Sequence, residues 1–442
     1  MVSENKKTQN SQSGVDRVQE PPSELKVAVD ENTGVSNTLE DIESTEPPNG
    51  GTLAWLQVLG SFCLWVATFG ISLSFGVFET FYRENYLKDY SSSDIAWIGT
   101  TQTCLLFSIG GLSGPLFDRG HMRIVILVGA ILLVVGLMTA SVARRYHSIF
   151  LSLGVCVGLG QGCLFAPSMI IIGTYFTTRR PIASGLSAAG GGLASVVFTA
   201  IFRPLVQSVG FGWTLRIFAF VCLAFLTIAV TVLKQRVTPK KPRKLLDLTA
   251  LKEADYMCFN AGMFLVFVGG YIPYYYMPAF AQEKIHTSED LAYHMLPVIA
   301  AGSTIGRILP NFAMQRFGVF NVACFCILMC GMLQFSWGSI NNVGGMATFS
   351  LFYGFFSGLL ASVPAVAIAQ LSPHVGLIGT RLGMGLQVGA VGFLIGNPIG
   401  GAILNGRSSF DGIQAFGGGC LLAAFVLTFL TAYYHKKRHT YT

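Results

Sequence analysis

The chain has 442 residues, of which 52% are hydrophobic and only 12% charged, and its mean hydropathy is +0.56. A soluble domain has about 25% charged residues, so this composition excludes an ordinary soluble domain and indicates a protein that crosses a membrane several times. The formal net charge of +7 does not indicate nucleic-acid binding, because the basic residues lie in loops between apolar runs.

Residues 1–52 differ in composition from the rest of the chain. The first 50 residues are polar and contain ten of the 22 acidic residues. Such a segment cannot bury enough apolar surface to fold alone, so we predict a disordered cytosolic tail. It has no basic stretch followed by an apolar core, which argues against a cleaved signal peptide.

Twelve apolar runs follow, each long enough to cross about 30 Å of hydrocarbon as a helix. The fold predicted is therefore an all-α membrane protein with twelve transmembrane helices. We number the runs as spans 1 to 12; they lie at residues 53–81, 94–116, 123–142, 149–175, 183–207, 214–233, 255–281, 291–313, 319–340, 345–371, 378–404 and 412–434.

The longest segment between spans, residues 234–254, divides the chain into two six-helix halves, residues 53–233 and 255–434. Cytosolic loops carry an excess of Lys and Arg. With the N-terminus inside, the inner segments hold 20 of these bases and the outer loops 6. Both termini, including residues 435–442, and the loop at 234–254 are therefore predicted to be cytosolic.

The two halves also repeat each other. Pro167 follows a glycine-rich stretch in span 4 and Pro364 follows one in span 10, at an offset of 197 residues; Gly185 of span 5 and Gly383 of span 11 are offset by 198. Two parallel six-span repeats are typical of transporters that rock around a site near the middle of the membrane. We therefore expect alternating access to a central cavity.

The turn between spans 2 and 3, "GPLFDRGHMR" (residues 114–123), resembles the signature of the major facilitator superfamily. In that family the acid and the bases form an ion-pair latch between helices. The resemblance thus implies a gating role for Asp118, Arg119 and Arg123. We assign Arg316, in the corresponding turn after span 8, to the same latch.

More specifically, the chain resembles the monocarboxylate porter family, and its fungal members most closely, over residues 47–434. The stretches that carry this resemblance are "PNGGTLAW" (48–55), "TYFTTRRPIASGLSAAGGGLASVVF" (174–198) and "IGNPIGGAIL" (395–404). It implies a carrier of small organic anions. Fungal relatives include uptake carriers for carboxylates and for a vitamin, and export carriers encoded beside biosynthetic enzymes.

The chain departs from that family at several positions. Asn49 stands where an acid is usual, and Gln315 replaces an aspartate of the second-half turn. Span 1 lacks the lysine of the animal carriers, and Ser303 replaces the aspartate one turn before the span 8 arginine. Proton-coupled symport of lactate is therefore not implied, and proton coupling, uniport and efflux all stay open.

Arg307 is the main candidate for a substrate-binding residue. It lies about 16 residues into span 8, which at 1.5 Å per residue is about 24 Å deep. A guanidinium at this depth would pair a substrate carboxylate in a planar, bidentate way. The alternative is that it reaches the inner interface or bonds to backbone carbonyls of a broken helix.

Five further polar residues are candidates for the lining of the cavity. Tyr271 and Tyr274 lie beside helix-breaking prolines in span 7, where an aromatic-lined cavity competes with an interfacial tyrosine belt. Gln161, Asn260 and Gln387 are lone amides in spans 4, 7 and 11. Each would line the cavity or bond to a neighbouring helix.

The sequence contains no catalytic constellation, so we expect neither an enzyme nor a metal or other cofactor. We predict a secondary carrier of small organic anions, with monocarboxylates as the first substrate class and proton coupling open. The alternatives are an efflux carrier for a secondary metabolite or an uptake carrier for a vitamin. Its partners would be the small molecule and the lipid bilayer. The plasma membrane is the default location, the vacuolar membrane the alternative, and a monomer is plausible.

Overall fold

A computed structural model describes residues 48–236, 246–373, 375–407 and 410–440. Within these ranges every regular element is helical, which confirms the predicted all-α class. The predicted tail up to residue 47 lies outside the described residues. Residues 48–440, where described, belong to one compact unit.

The first half contains spans 1 to 6. Span 1 is broken at Ser74, and span 4 begins with a π-helical turn, Phe150–Cys156. Its α-helices are α1 (Thr52–Leu73), α2 (Phe75–Asn85), α3 (Ser92–Asp118), α4 (Met122–Ala140), α5 (Tyr146–Ile149), α6 (Val157–Tyr175) and α7 (Arg180–Val232).

The second half contains spans 7 to 12, and short 3₁₀ turns at Ala250–Lys252 and Trp337–Ser339. Span 7 is interrupted at Gly270 and Tyr271, and span 10 at Ala361 and Ser362. Its α-helices are α8 (Ala254–Gly269), α9 (Ile272–Glu283), α10 (Glu289–Phe317), α11 (Val319–Ser336), α12 (Val343–Leu360), α13 (Val363–Leu371), α14 (Val375–Arg407) and α15 (Phe410–Thr440).

Ten helical segments of the described chain are long and apolar enough to cross a membrane, and two details bring the number of spans to twelve. Helix α7 has 53 residues, or about 80 Å at 1.5 Å per residue, and it is broken at Gly210 by a backbone φ of 81°. It therefore forms spans 5 and 6. Helix α10 has 29 residues and forms span 8; its charged residues make it less apolar than the other spans.

Helices of the two halves meet along the middle of the bundle. A Cβ atom on Gly185 of span 5 would lie 2.9 Å from the carbonyl oxygen of Arg307 in span 8. A Cβ on Gly383 of span 11 would lie 3.2 Å from the carbonyl of Gly111 in span 2. Small residues allow helices to approach this closely in lipid, and Gly185 and Gly383 are the pair that the sequence repeat matches.

The bundle has two ends, which we name by the course of the chain. The terminal end is where the chain enters span 1 and leaves span 12, and the far end is opposite. At the far end the halves are in contact. The hydroxyl of Ser93 donates to the carbonyl of Pro398 at 3.1 Å, and the rings of Phe75 and Tyr275 lie 5.5 Å apart. The far end is thus closed.

Candidate substrate site

A cavity of about 190 Å³ lies between spans 4, 5, 10 and 11 on the terminal side of the bundle. Its lining begins near the centre with Trp65 and reaches Thr174 and Arg180, where span 4 ends and span 5 begins. Because the far end is closed, this cavity is the path along which a molecule would approach the centre from the terminal end.

Arg307 lies next to this cavity, in contact with the lining residues Trp65 and Ala188. Its side chain is 1% exposed, and one terminal nitrogen donates to the carbonyl of Ala188, a cavity-lining residue, at 3.0 Å. The guanidinium carbon also lies 5.6 Å from the ring centre of Trp65 and 5.4 Å from that of Phe69. Aromatic faces attract a cation at such distances.

The positive charge of Arg307 has no counter-charge among the described residues. No described carboxylate lies within 4.0 Å of it, and its Nε has no hydrogen-bond partner there. A buried charge is normally paired, because leaving it unpaired is costly. The site is therefore suited to an anionic group of a bound molecule.

Tyr271 and Tyr274 lie beside Arg307, so the structure brings these three candidates together. Both tyrosines are buried and within electrostatic reach of the guanidinium. Their rings lie 5.6 Å apart, and the hydroxyl of Tyr274 shares a 2.9 Å hydrogen bond with that of Ser357. With Phe69 and Phe393 they surround a void of only about 10 Å³ and close the site toward the far end.

Aromatic rings from both halves of the protein pack around the site. Each ring in it lies between 4.5 and 6.1 Å from another. Such spacing is typical of packed aromatic pairs. The site therefore combines one cation with a largely apolar, ring-lined wall. The rings are those of Trp65, Phe69, Phe107, Phe165, Phe267, Tyr271 and Phe393.

Gln161 faces the interior of the first half. Its amide nitrogen donates to the carbonyl of Thr68 at 2.9 Å, and its oxygen accepts from Ser72 and Gln102, each at 3.1 Å. The side chain thus joins spans 1, 2 and 4. This is the interhelical alternative that the sequence left open.

Asn260 and Gln387 line a different cavity, of about 780 Å³, between spans 2, 7, 11 and 12. Asn260 donates to the carbonyl of Tyr256 at 2.9 Å, and Gln387 to that of Ser108 at 2.8 Å. Neither amide lines the cavity next to Arg307.

Of the predicted latch residues, Arg119, Arg123 and Arg316 are exposed at the terminal end. The guanidinium of Arg316 lies 5.7 Å from the ring centre of Phe317. The side chain of Asp118 lies outside the described residues. The latch therefore stays a prediction.

No prediction from the sequence covered the second buried arginine of the described chain, Arg381. Arg381 lies in α14 and is 0% exposed. Its Nε donates to Asp247 at 2.9 Å, and its two terminal nitrogens donate to the two oxygens of Glu253 at 2.8 and 2.7 Å. The one available indication was an arginine just inside an apolar run, with acids in the loop before span 7.

The pKa values of both acids are lowered. Hydrogen bonds from Arg381 are the main reason why the pKa of Glu253 lies below its ordinary value of 4.5. The pKa of Asp247 is also lowered, first by the hydroxyl of Thr249 and then by Arg381. Arg438 of α15 donates to Glu253 at 2.8 Å, so the cluster ties the inter-half loop to spans 7, 11 and 12.

Comparisons with known proteins agree with this architecture. The sequence profile of the Major Facilitator Superfamily matches residues 60–373. The chain is 36% identical to the MFS-type transporter dbaD of Emericella nidulans, over 86% of each chain. It is 35% identical to the aspyridones efflux protein apdF of the same organism, over 88% of this chain and 79% of the relative. It is 32% identical to the fujikurins efflux protein of Gibberella fujikuroi, over 89% and 85%.

Proposed function

The chain belongs to the major facilitator superfamily, and from that premise we propose that it exports a small organic anion of the secondary-metabolite class by alternating access. It is a multi-pass membrane transporter; the direction, the substrate class and the anionic group are the proposed part. The observation that carries the proposal is Arg307, a buried cation without a carboxylate partner among the described residues.

The chemistry of the site limits the class of ligand that fits it. One guanidinium offers a planar, two-pronged match to a carboxylate or a similarly delocalised anion. The surrounding rings favour an apolar, flat body. A molecule with one acidic group on a ring-containing skeleton fits both features. Similar proteins named as efflux proteins for aspyridones and fujikurins support export of a metabolite of this kind.

The transport cycle follows from which end is closed. If the Lys and Arg bias sets the orientation, the terminal end is cytosolic and the cavity is open to the cytosol. The substrate would enter there and bind at Arg307. The two six-helix halves would then rock, close the terminal end, with Asp118 and its basic neighbours as latch, and open the far end. Export at the plasma membrane is the setting proposed, with a vacuolar membrane as the alternative.

Uptake of a monocarboxylate is the second candidate, favoured by the retained arginine and by the resemblance to the monocarboxylate porters. Against coupled symport stands the position one turn before Arg307, where the buried residue is Ser303 and not an acid. An arginine without that neighbouring acid fits anion binding but offers no proton carrier beside it. Export therefore has the stronger support.

The test compares acids with their amides. Wild type and Arg307→Ala are reconstituted in liposomes, and a panel of labelled aromatic carboxylic acids is followed beside the matched primary amides. A hydrogen bond to a charged group contributes about 1.5–3 kcal/mol, so we expect transport of the acids to fall about 10- to 100-fold in the variant. Transport of any amide that wild type carries is expected to stay unchanged.

Arg216→Ala is the matched control, because Arg216 bonds to Ser141 and lies over Trp213, away from the cavity. It is expected to transport acids as wild type does. Equal acid transport by wild type and Arg307→Ala would refute the role of Arg307. Transport of amides but not acids by wild type would refute the anionic substrate class. The side on which the acid must be loaded distinguishes export from uptake.

A further inference from the structure

Besides Arg307, the acidic residue Glu79 is buried in the bundle with a side-chain atom that has no hydrogen-bond partner among the described residues. Glu79 lies in α2, in the closed far end, and is 6% exposed. Its Oε2 has no hydrogen-bond partner among the described residues. Span 7 lies against it, with Tyr275 and Tyr276 within electrostatic reach of the carboxylate.

The groups that face Glu79 do not compensate a negative charge. Arg83, one turn further along the same helix, is within electrostatic reach, but its guanidinium pairs with Glu283 at 3.7 Å. From span 7, Tyr275 and Tyr276 are the ionisable neighbours. The hydroxyl of Tyr276 donates to the carbonyl of Asn397 at 2.8 Å, and that of Tyr275 lies near Thr103.

Spans 5 and 8 bring further charged or titratable groups to the far end, and these are engaged with one another. The hydroxyl of Tyr293 in span 8 donates to Glu84 at 3.3 Å, and the guanidinium of Arg203 in span 5 lies 5.2 Å from the ring centre of Tyr293. No described cation lies within 4.0 Å of the Glu79 carboxylate. An ionised carboxylate in this position would lose its hydration without gaining a cationic partner. A protonated carboxyl group carries no charge, so its burial costs much less free energy.

We propose that Glu79 is a proton-binding site that couples the protonation of the carrier to the closing of its far end. When the far end is open, water reaches the carboxylate and it is ionised at neutral pH. Closing brings Tyr275 and Tyr276 over it, and the carboxylate takes one proton from the water on that side as it is buried. Reopening returns the proton to that water. This inference rests on the proposed alternating access and adds the ion that it responds to.

The proposal has a quantitative consequence. In the pH range where the open state is ionised and the closed state is protonated, the ratio of closed to open molecules rises about tenfold for each unit by which the pH falls. The ordinary pKa of a glutamate, about 4.3, sets the lower limit of this range. The ratio can be followed at both high and low pH without a known substrate.

The experiment uses the full chain in lipid nanodiscs. Hydrogen exchange of residues 86–95, which connect spans 1 and 2 at the far end, is measured between about pH 8 and about pH 5, above the ordinary carboxyl pKa of about 4.3, and corrected for the pH dependence of free amides. We expect wild type to become more protected as the pH falls. Glu79→Gln is expected to show the protection of the acidic state at every pH, and Glu79→Asp to keep the pH dependence.

Infrared spectra of the same samples supply an independent readout. Wild type at neutral pH is expected to show the carbonyl stretch of a protonated carboxylic acid, and this band is expected to disappear in Glu79→Gln. Asp89→Asn is the matched control, because Asp89 is an exposed carboxylate at the same end, in the loop between spans 1 and 2; it should leave the band unchanged.

Either of two results would overturn the proposal: an unchanged pH dependence of protection in Glu79→Gln, or no band that depends on Glu79. Neither readout requires a transported molecule. Failure here would therefore leave the proposed substrate class intact, and failure of the acid and amide transport test would leave the proton site intact.

Discussion

Arg307 and Arg381 are both buried arginines of the second half, yet their surroundings differ completely. Arg381 is held by two carboxylates, one of them bidentate, and by the carbonyl of Leu371 at 3.0 Å. Arg307 makes one hydrogen bond to a backbone carbonyl and otherwise faces aromatic rings. The first charge is neutralised within the chain, and the second is not.

This difference supports a structural role for Arg381 and the binding role that we propose for Arg307. Estimates of the cost of burying an arginine at the centre of a membrane run from about 2.5 to more than 10 kcal/mol. At Arg381 the acids offset that cost, and the result is a clamp between the inter-half loop and span 11. At Arg307 the cost is offset only partly by the protein itself. The remaining electrostatic capacity is available to a bound anion.

The largest effect is expected from Arg381→Met, which keeps much of the side-chain volume and removes the charge. It leaves Asp247 and Glu253 near one another without their common partner. Breaking a buried pair by removing one member costs about 3–5 kcal/mol. We expect a clear fall in the apparent Tm of the purified protein, measured by scanning fluorimetry in detergent.

The control is the double variant with Asp247→Asn and Glu253→Gln added to Arg381→Met. Removing the acids together with the arginine takes away the uncompensated charges, so part of the lost Tm is expected to return. A Tm of Arg381→Met equal to that of wild type would show that the cluster is not a clamp.

A smaller change in Tm is expected when the pH is lowered. The pKa values of Glu253 and Asp247 are lowered in the folded protein, so their contribution to stability is complete above the ordinary values and is lost as the pH falls through the lowered ones. The Tm difference between wild type and Arg381→Met should therefore be constant near neutral pH. It should shrink once the pH falls below the ordinary value of 4.5 for Glu253. A difference that grows in acid would contradict this assignment.

The fold was predictable because each span must be apolar over the full hydrocarbon thickness. Helix α7 is long enough for two spans, and α10 is long enough for one although it carries charged residues. Arg307 was predictable because it lies in the middle of a span. Arg381 was not, because it lies near a helix start and its acid partners are 134 and 128 positions away in sequence.

The directions of Gln161, Asn260 and Gln387 were not predictable for a different reason. In a soluble helix the polar face marks the solvent side, and an apolar face marks the core. In a membrane the lipid-facing surface is as apolar as the packed one. The residues around each amide therefore gave no indication of whether it points to the cavity, to a neighbouring helix or to the groove between spans 2, 7, 11 and 12.

The smallest change in stability is expected from Arg307→Met, the counterpart of Arg381→Met. This substitution removes a charge that has no acid partner among the described residues, so it leaves no buried carboxylate without its partner. The carbonyl of Ala188 lies inside α7 and retains its helical hydrogen bond. We expect the free energy of unfolding to change by no more than about 1 kcal/mol, measured through the same apparent Tm, while binding of an aromatic acid is lost. If Arg307→Met destabilised the protein as much as Arg381→Met, both arginines would be structural, and the binding role assigned to Arg307 would have to be given up.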